Sequence, residues 1–427
     1  MISNGEQEFM STITSAKTAS AKTTSETLNL MYAPLATRRS LLRFGGAASL
    51  ATLVAACGSV TGLDTQPGVS QPDGPTTPQA SAGPNIGTGQ VRIGLILPLS
   101  ATGPVGSAAN AIRNAAELAI AEFDKPDVTL LVKDDRGDPA TAREMAQQAL
   151  AEGAELILGP FTAAAVQQAS SLTRAAGKPM IAFSSDTGVA QPGVYLMSFA
   201  PQTDVARIIT FAAGRGKRQF AALLPEGAFG NVIAAEFQQQ IAALRLSQGP
   251  LERYQPGRAG EAAKALAGQI GNSDALLVTD LSDAMPRTAD ALSASGIRGV
   301  QLLGTGVWND LSVLQKPGVQ GGWFAAPDAS GFNSFAERYR KRFNTNPTRM
   351  ATIGYDCVAL VAALVKTQGS NRFSAQTLTN PSGFAGQDGV FRFRQDGTNE
   401  RGLAVLEVRN RSAQIISPAP KGFSGAA

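Results

Sequence analysis

From Val91 onward, short runs of branched apolar residues alternate with longer stretches whose apolar positions recur every three or four residues. The first run is "VRIGLIL", followed by the helical "GSAANAIRNAAELAIAEF". "VTLLVKD" comes next, and Asp138-Pro139 then reads as an N-cap and first helical residue opening "ATAREMAQQALAEG". "AELILG" and "KPMIAFS" flank the helical "AAAVQQASSLTRAAG". Each short run is almost continuously apolar, as a strand covered on both faces should be. The alternation predicts parallel, doubly wound α/β structure.

The pattern restarts after Pro201 with the helix "TDVARIITFAAGRG" and continues through "QFAALLP", "DALLVTD", "VQLLGTG" and "WFAAP" with helical segments between them. Helical stretches are expected at 332–343 and 349–367, then a β-rich end, "GVFRFRQDGTNERGLAVLEVRN". Within it "QDGTNER" is a hairpin signal joining the two runs around it. One sheet does not easily hold so many strands, so two Rossmann-like lobes are expected.

Before Val91 the pattern is different. Arg38, Arg39 and Arg43 precede the apolar, Gly/Ala-rich segment 47–56, which is too short to span a bilayer comfortably and ends in small residues at Cys57. This is the layout of a secretory signal, and the paired arginines also suit twin-arginine export. Residues 1–56 are therefore read as an N-terminal extension and signal peptide, with Met31 placed to start a conventional signal. Residues 57–90 are dominated by Pro, Gly, Ser and Thr, and cannot bury enough surface to offset their ordering entropy. They read as a flexible linker.

Composition narrows the chemistry. The 427 residues contain no histidine and two cysteines, so Ser-His-Asp and Cys-His catalysis, imidazole metal sites and thiolate metal cages are excluded. Nothing points to a cofactor or an enzyme. The net charge of +4 is modest and unclustered, which argues against a nucleic-acid partner. Cys357, inside the helical "TIGYDCVALVAALV", reads as a small buried hydrophobe. Asp134, Asp135 and Asp138 are acidic neighbours, but the helix start at Asp138-Pro139 accounts for them without an ion.

Several of these segments resemble a known family. "VRIGLILPLSATGPVGSAANAIRNAAELAI", "VKDDRGDPATAREMAQQALAEGAELILGP" and "TIGYDCVALVAAL" resemble the first strand-loop-helix, the second βα unit with third strand, and a late helix of leucine-binding type I periplasmic binding proteins. Val54-Ala55-Ala56-Cys57 resembles the lipobox of bacterial lipoproteins, in which the cysteine is acylated. With the linker and "LILPLSATGPVG", it also resembles the penicillin-binding protein activators. The resemblance implies two lobes joined by three crossings near Pro201, near Pro327 and around Gly389–Gly397. Lobe one would hold 91–200 and 328–388, lobe two 201–327 and 389–412, with 413–427 as a tail.

In open α/β sheets, ligands sit beyond the carboxyl ends of the strands, where helix N-termini present free N–H groups. The residues expected to bind there are Ser100, Thr162, Ser184, Ser185, Asp186 and Thr187 on lobe one, with Phe229, Asp280 and Trp308 on lobe two. Hydroxyls after strands also cap helices, and loop aromatics also serve as core. Thr162 is followed by three alanines where amino-acid receptors of the family place hydroxyls, and no obvious acid stands beside Gly306 to take an ammonium, which leaves Asp186, Asp280 or Asp283 for that role. The resemblance implies a non-enzymatic, membrane-anchored periplasmic lipoprotein capturing a small polar, amino-acid-like ligand. Its partner is an ABC importer permease or, as the alternative, a penicillin-binding protein whose peptidoglycan synthesis it activates by contact.

Overall fold

The computed structural model describes residues 85–423; the signal segment, Cys57 and most of the linker lie outside the described residues. The linker gives way to structure before Val91. Ile86 bridges to Leu130, its N–H donating to the Leu130 carbonyl at 3.1 Å, and its side chain is buried.

The first sheet contains β1 (Val91–Leu97), β2 (Val128–Asp134), β3 (Leu156–Leu158), β4 (Met180–Ala182) and β5 (Val194–Leu196), all parallel in the order β2-β1-β3-β4-β5. Helices α1 (Gly103–Glu122), α2 (Pro139–Ala151) and α3 (Ala163–Ala175) connect its strands. Beyond the exposed Arg92, successive residues of β1 feed opposite cores: Ile93, Leu95 and Leu97 join one cluster and Ile96 the other, so both faces of this part of the strand are dry. Asp138 caps α2 as the sequence predicts, its Oδ2 accepting from the Thr141 N–H at 2.7 Å. β5 is only three residues long and carries too little pattern to be read from sequence.

The second lobe repeats the plan. It contains α4 (Pro201–Gly214), β6 (Gln219–Pro225), α5 (Ala228–Ala243), β7 (Ser247–Tyr254), α6 (Ala259–Ala267), β8 (Ala275–Val278), α7 (Met285–Ser295), β9 (Gln301–Gly304), the single turn α8 (Leu311–Leu314) and β10 (Trp323–Ala326). The chain then returns to lobe one as α9 (Ala329–Phe343), α10 (Ala351–Thr367) and the short α11 (Ala375–Leu378). Helix α10 packs closely on α1: a Cβ on Gly354 would lie 2.6 Å from the Ile112 carbonyl oxygen, so only glycine permits the approach. Cys357 on α10 is buried and free.

The C-terminal region departs from expectation. A third sheet forms from β11 (Phe384–Gly386), β12 (Gly389–Phe393) and β13 (Asn399–Arg401), followed by β14 (Ala404–Arg409) and β15 (Ser412–Ser417) in the second sheet, whose order is β15-β14-β10-β9-β8-β6-β7. The "QDGTN" turn therefore joins β12 to β13, and not to β14. Phe391 and Phe393 of β12 belong to the first lobe's core. The third crossing accordingly falls at Gly402–Leu403, after the expected 389–397, because the aromatic face of β12 is buried against lobe one. Residues 412–417, expected in large part as tail, form an edge strand paired with β14. Buried Asp388 is held by Arg349 and Thr352, and buried Asp356 accepts from the Gln387 N–H at 2.8 Å, tying the third sheet to α10. No described helix is long and apolar enough to cross a membrane.

Candidate functional site

Both lobes use one strand order. β2-β1-β3-β4-β5 in the first corresponds to β7-β6-β8-β9-β10 in the second. The winding reverses between β1 and β3, and between β6 and β8, which is where such sheets open a crevice at their carboxyl edges. The loops after β1, β3 and β4 thus share one edge of lobe one, and those after β6, β8 and β9 share one edge of lobe two.

On lobe one the predicted residues fall on these loops. Ser100 is exposed, and its N–H donates to Asp134 Oδ1 at 3.3 Å. Thr162 caps α3, its Oγ1 accepting from the Ala165 N–H at 3.4 Å. Ser184 is buried and its Oγ accepts from the Asp186 N–H at 3.1 Å, while Asp186 Oδ1 accepts from the Gly188 N–H at 2.9 Å. These bonds shape the 184–188 turn and hold Ser185, half-buried, between the two. Thr187 Oγ1 accepts from Gln202 Nε2 of α4 at 3.4 Å, a polar contact between the lobes.

On lobe two, the three expected residues sit inside the fold. Phe229 is 5% exposed and packs in the core between α4, α5 and the sheet. Trp308 is fully buried, and its Nε1 donates to the Val278 carbonyl at 3.1 Å. Neither ring has a face free for a ligand. Asp280 is an internal tie: Oδ2 accepts from Tyr254 Oη at 2.8 Å and Thr288 Oγ1 at 2.6 Å, and Oδ1 accepts from the Leu281 N–H at 2.8 Å. Burial, with the neighbouring Asp280 carboxylate second, pushes the Tyr254 hydroxyl far above its ordinary value, so it stays a donor.

The structure also supplies a residue that the sequence did not reveal. Asp204, in the first turns of α4, reaches the loop after β9 and accepts from the Gly306 N–H at 2.8 Å through Oδ2. It is the acid beside Gly306 that no neighbouring sequence position provides. Its side chain is partly buried, and desolvation outweighs the Gly306 bond, raising its pKa from the ordinary carboxylate range to about 7. Close by, Thr279 and Thr305 share a buried hydroxyl bond of 2.8 Å. In sequence, Asp204 signals only a helix N-terminal acid, because its partner lies 102 positions away.

Among the acids of the first lobe, Asp135 is buried, and its pKa is raised to about 6 by desolvation against the opposing Gly137 N–H bond. Asp134 and Asp138 accept from backbone N–H groups, and among the described residues no cluster of three acids or cysteines suits a metal. A cavity of about 840 Å³ lies beside the first and third crossings, lined by Thr187, Gln202, Arg207, Glu236, Arg392 and Arg401 among others. Of the predicted ligand residues only Thr187 reaches it.

A family model described as periplasmic binding protein matches residues 90–413. The chain belongs to this family. Its fold is that of the type I members. A protein assigned to a branched-chain amino acid ABC transporter of Rhodospirillum rubrum is 21% identical, with 76% of this chain and 99% of that one covered at a TM-score of 0.68. An ABC transporter substrate-binding protein from Sphaerobacter thermophilus is 18% identical over 78% of this chain and 97% of that one, with a TM-score of 0.61. A solute-binding protein from Rhodopseudomonas palustris, solved with 3,4-dihydroxybenzoic acid, is 21% identical over 78% and 98%, with a TM-score of 0.57. No curated protein matches the chain. At these identities the likeness establishes architecture, while the lining of the cleft is this chain's own.

Proposed function

We propose that this chain is a periplasmic, lipid-anchored solute receptor that closes its lobes on a small amino-acid-like zwitterion and delivers it to an ABC importer, without catalysing a reaction. The observation that carries the reading is Asp204 at the Gly306 loop, a partly desolvated acid at the carboxyl edge of lobe two. An ammonium group there would gain a charge-assisted bond. Across the cleft, the N-terminus of α3 at Thr162 and the Ser184–Ser185 turn offer donors to a carboxylate without needing a cation. Lobe closure would exclude water and strengthen both contacts.

A thermal-shift screen against amino acids, aromatic acids and cell-wall fragments tests this. A binding zwitterion at about 100 times its dissociation constant adds about 2.7 kcal/mol of stability. Absence of a shift with every solute, together with co-purification of a peptidoglycan synthase, would replace the receptor by the regulatory alternative. The anchor has its own test. Cells fed an alkynyl palmitate should label the wild-type chain and leave Cys57→Ser unlabelled; equal labelling of both would remove Cys57 as the acceptor.

A further inference from the structure

The last described residues make a connection that the three crossings do not account for. β15 ends at Ser417 in the second sheet, where Arg207 of α4 donates to Ser417 Oγ at 2.9 Å. From there the chain runs back over the third crossing. Pro420 lies against Gly402, where an added Cβ would stand 3.0 Å from the proline Cγ. The chain then reaches the third sheet. The Phe423 ring sits 4.5 Å from the Arg392 guanidinium and packs on Gly383, whose Cβ position would be 2.7 Å from Phe423 Cδ2.

The docking site is prebuilt in lobe one. Arg392 is held by Glu400 Oε2 at 3.0 Å through Nε and 2.8 Å through Nη2, and by the Pro381 carbonyl at 3.1 Å. Its β12 neighbours Phe391 and Phe393 are in the lobe-one core. Residues 418–423 are therefore fixed at one end to lobe two and at the other to lobe one. Pro418 and Pro420 restrict the backbone between these points, so the segment has little slack. It also closes one side of the cavity at the crossings, which Pro418, Pro420 and Phe423 line together with Arg207 and Arg401.

We propose that residues 418–423 are a releasable strap, a fourth connection between the lobes held by Phe423 on Arg392 and Gly383, which restrains their rotation about the crossings. The covalent crossings at 197–200, 327–328 and 402–403 act as hinges. The strap differs because Ala419 packs on the lobe-two core and Pro420 on Gly402, while its lobe-one end is seated through Phe423, so that this end can detach without unfolding either lobe. Anything that competes for the Phe423 seat would then loosen the hinge from a point outside the ligand cleft.

Spin labels placed on exposed positions of the two lobes, Ser171→Cys and Lys264→Cys, report the inter-lobe distance in the full chain carrying Cys57→Ser; the remaining Cys357 is buried. Phe423→Ala is expected to broaden the distance distribution, Phe423→Trp to preserve it, and truncation after Ser417 to match Phe423→Ala. The melting of each lobe should stay unchanged. Equal widths in the wild type and Phe423→Ala would overturn the strap, as would broadening accompanied by melting of lobe one. The measurement needs no ligand, so it stands or fails separately from the receptor reading.

Discussion

Asp204→Asn should weaken binding of an ammonium-bearing ligand by about 2–5 kcal/mol, roughly thirty-fold to a few thousand-fold in the dissociation constant. The substitution keeps the side chain's size, and an amide oxygen can still accept from the Gly306 N–H, so the loop after β9 keeps its position. What is lost is the charge. The wild-type protein should also show a pH dependence that the variant lacks. In the ligand-free protein, burial raises Asp204 to about 7, so near pH 6 the carboxyl is mostly protonated. The ammonium prefers the carboxylate, and binding must then release a proton. Affinity is therefore expected to rise from pH 6 to pH 8 and to level off above, while Asp204→Asn stays flat. Calorimetric titration at three pH values reads both effects. An undiminished affinity in the variant would remove Asp204 from the ligand, and a binding ligand that carries no amine would do the same.

The strand pattern made the two-lobe architecture legible because parallel strands buried on both faces are unmistakable as apolar runs, as in β1 and β6. It failed for β5 and β11, which are three residues each and owe their strand geometry to pairing partners. The position of the third crossing was hidden for a related reason. "QDGTN" announces a turn, but only the burial of Phe391 and Phe393 shows which lobe owns the strand before it.

The candidate site was half legible. Ser184 and Thr162 stand after strands, and the chain carries them to the expected edge. Thr162's capping bond and Ser184's bond from the Asp186 N–H mean that part of their hydrogen-bonding capacity serves the loops themselves. Asp280 illustrates the opposite outcome. An acid after β8 looks available in sequence, yet Tyr254 and Thr288, from β7 and α7, arrive to take its oxygens. Asp204 gains its place by the same kind of distant encounter. Contacts made across a sheet's edge leave no local signature, so loop position identifies the neighbourhood and not the residue.

Trp308→Ala is expected to destabilise the second lobe by about 3–5 kcal/mol, the range for emptying a large aromatic from a packed core. The site is shaped around the indole. Added Cβ atoms on Gly304 and Gly322 would lie 2.2 Å and 2.6 Å from its ring atoms, so the last residue of β9 and the residue just before β10 make room for it. Phe324 packs beside it with ring centroids 6.2 Å apart. Those neighbours belong to the sheet and cannot collapse inward far enough to fill the hole. The loss of Nε1–H also removes the side-chain bond to the Val278 carbonyl, which ends β8 immediately before Thr279 and Asp280, so this edge of the lobe should loosen with its core. Trp308→Phe separates the two effects, since it retains most of the apolar volume and surrenders the hydrogen bond, at about 1–3 kcal/mol. Urea unfolding can be followed by fluorescence of the one other tryptophan, Trp323, which stands edge-on to Phe211 in the same lobe. A midpoint for Trp308→Ala equal to the wild type's would show that the ring is not the keystone of this core, and would return it to the list of residues free to meet a ligand.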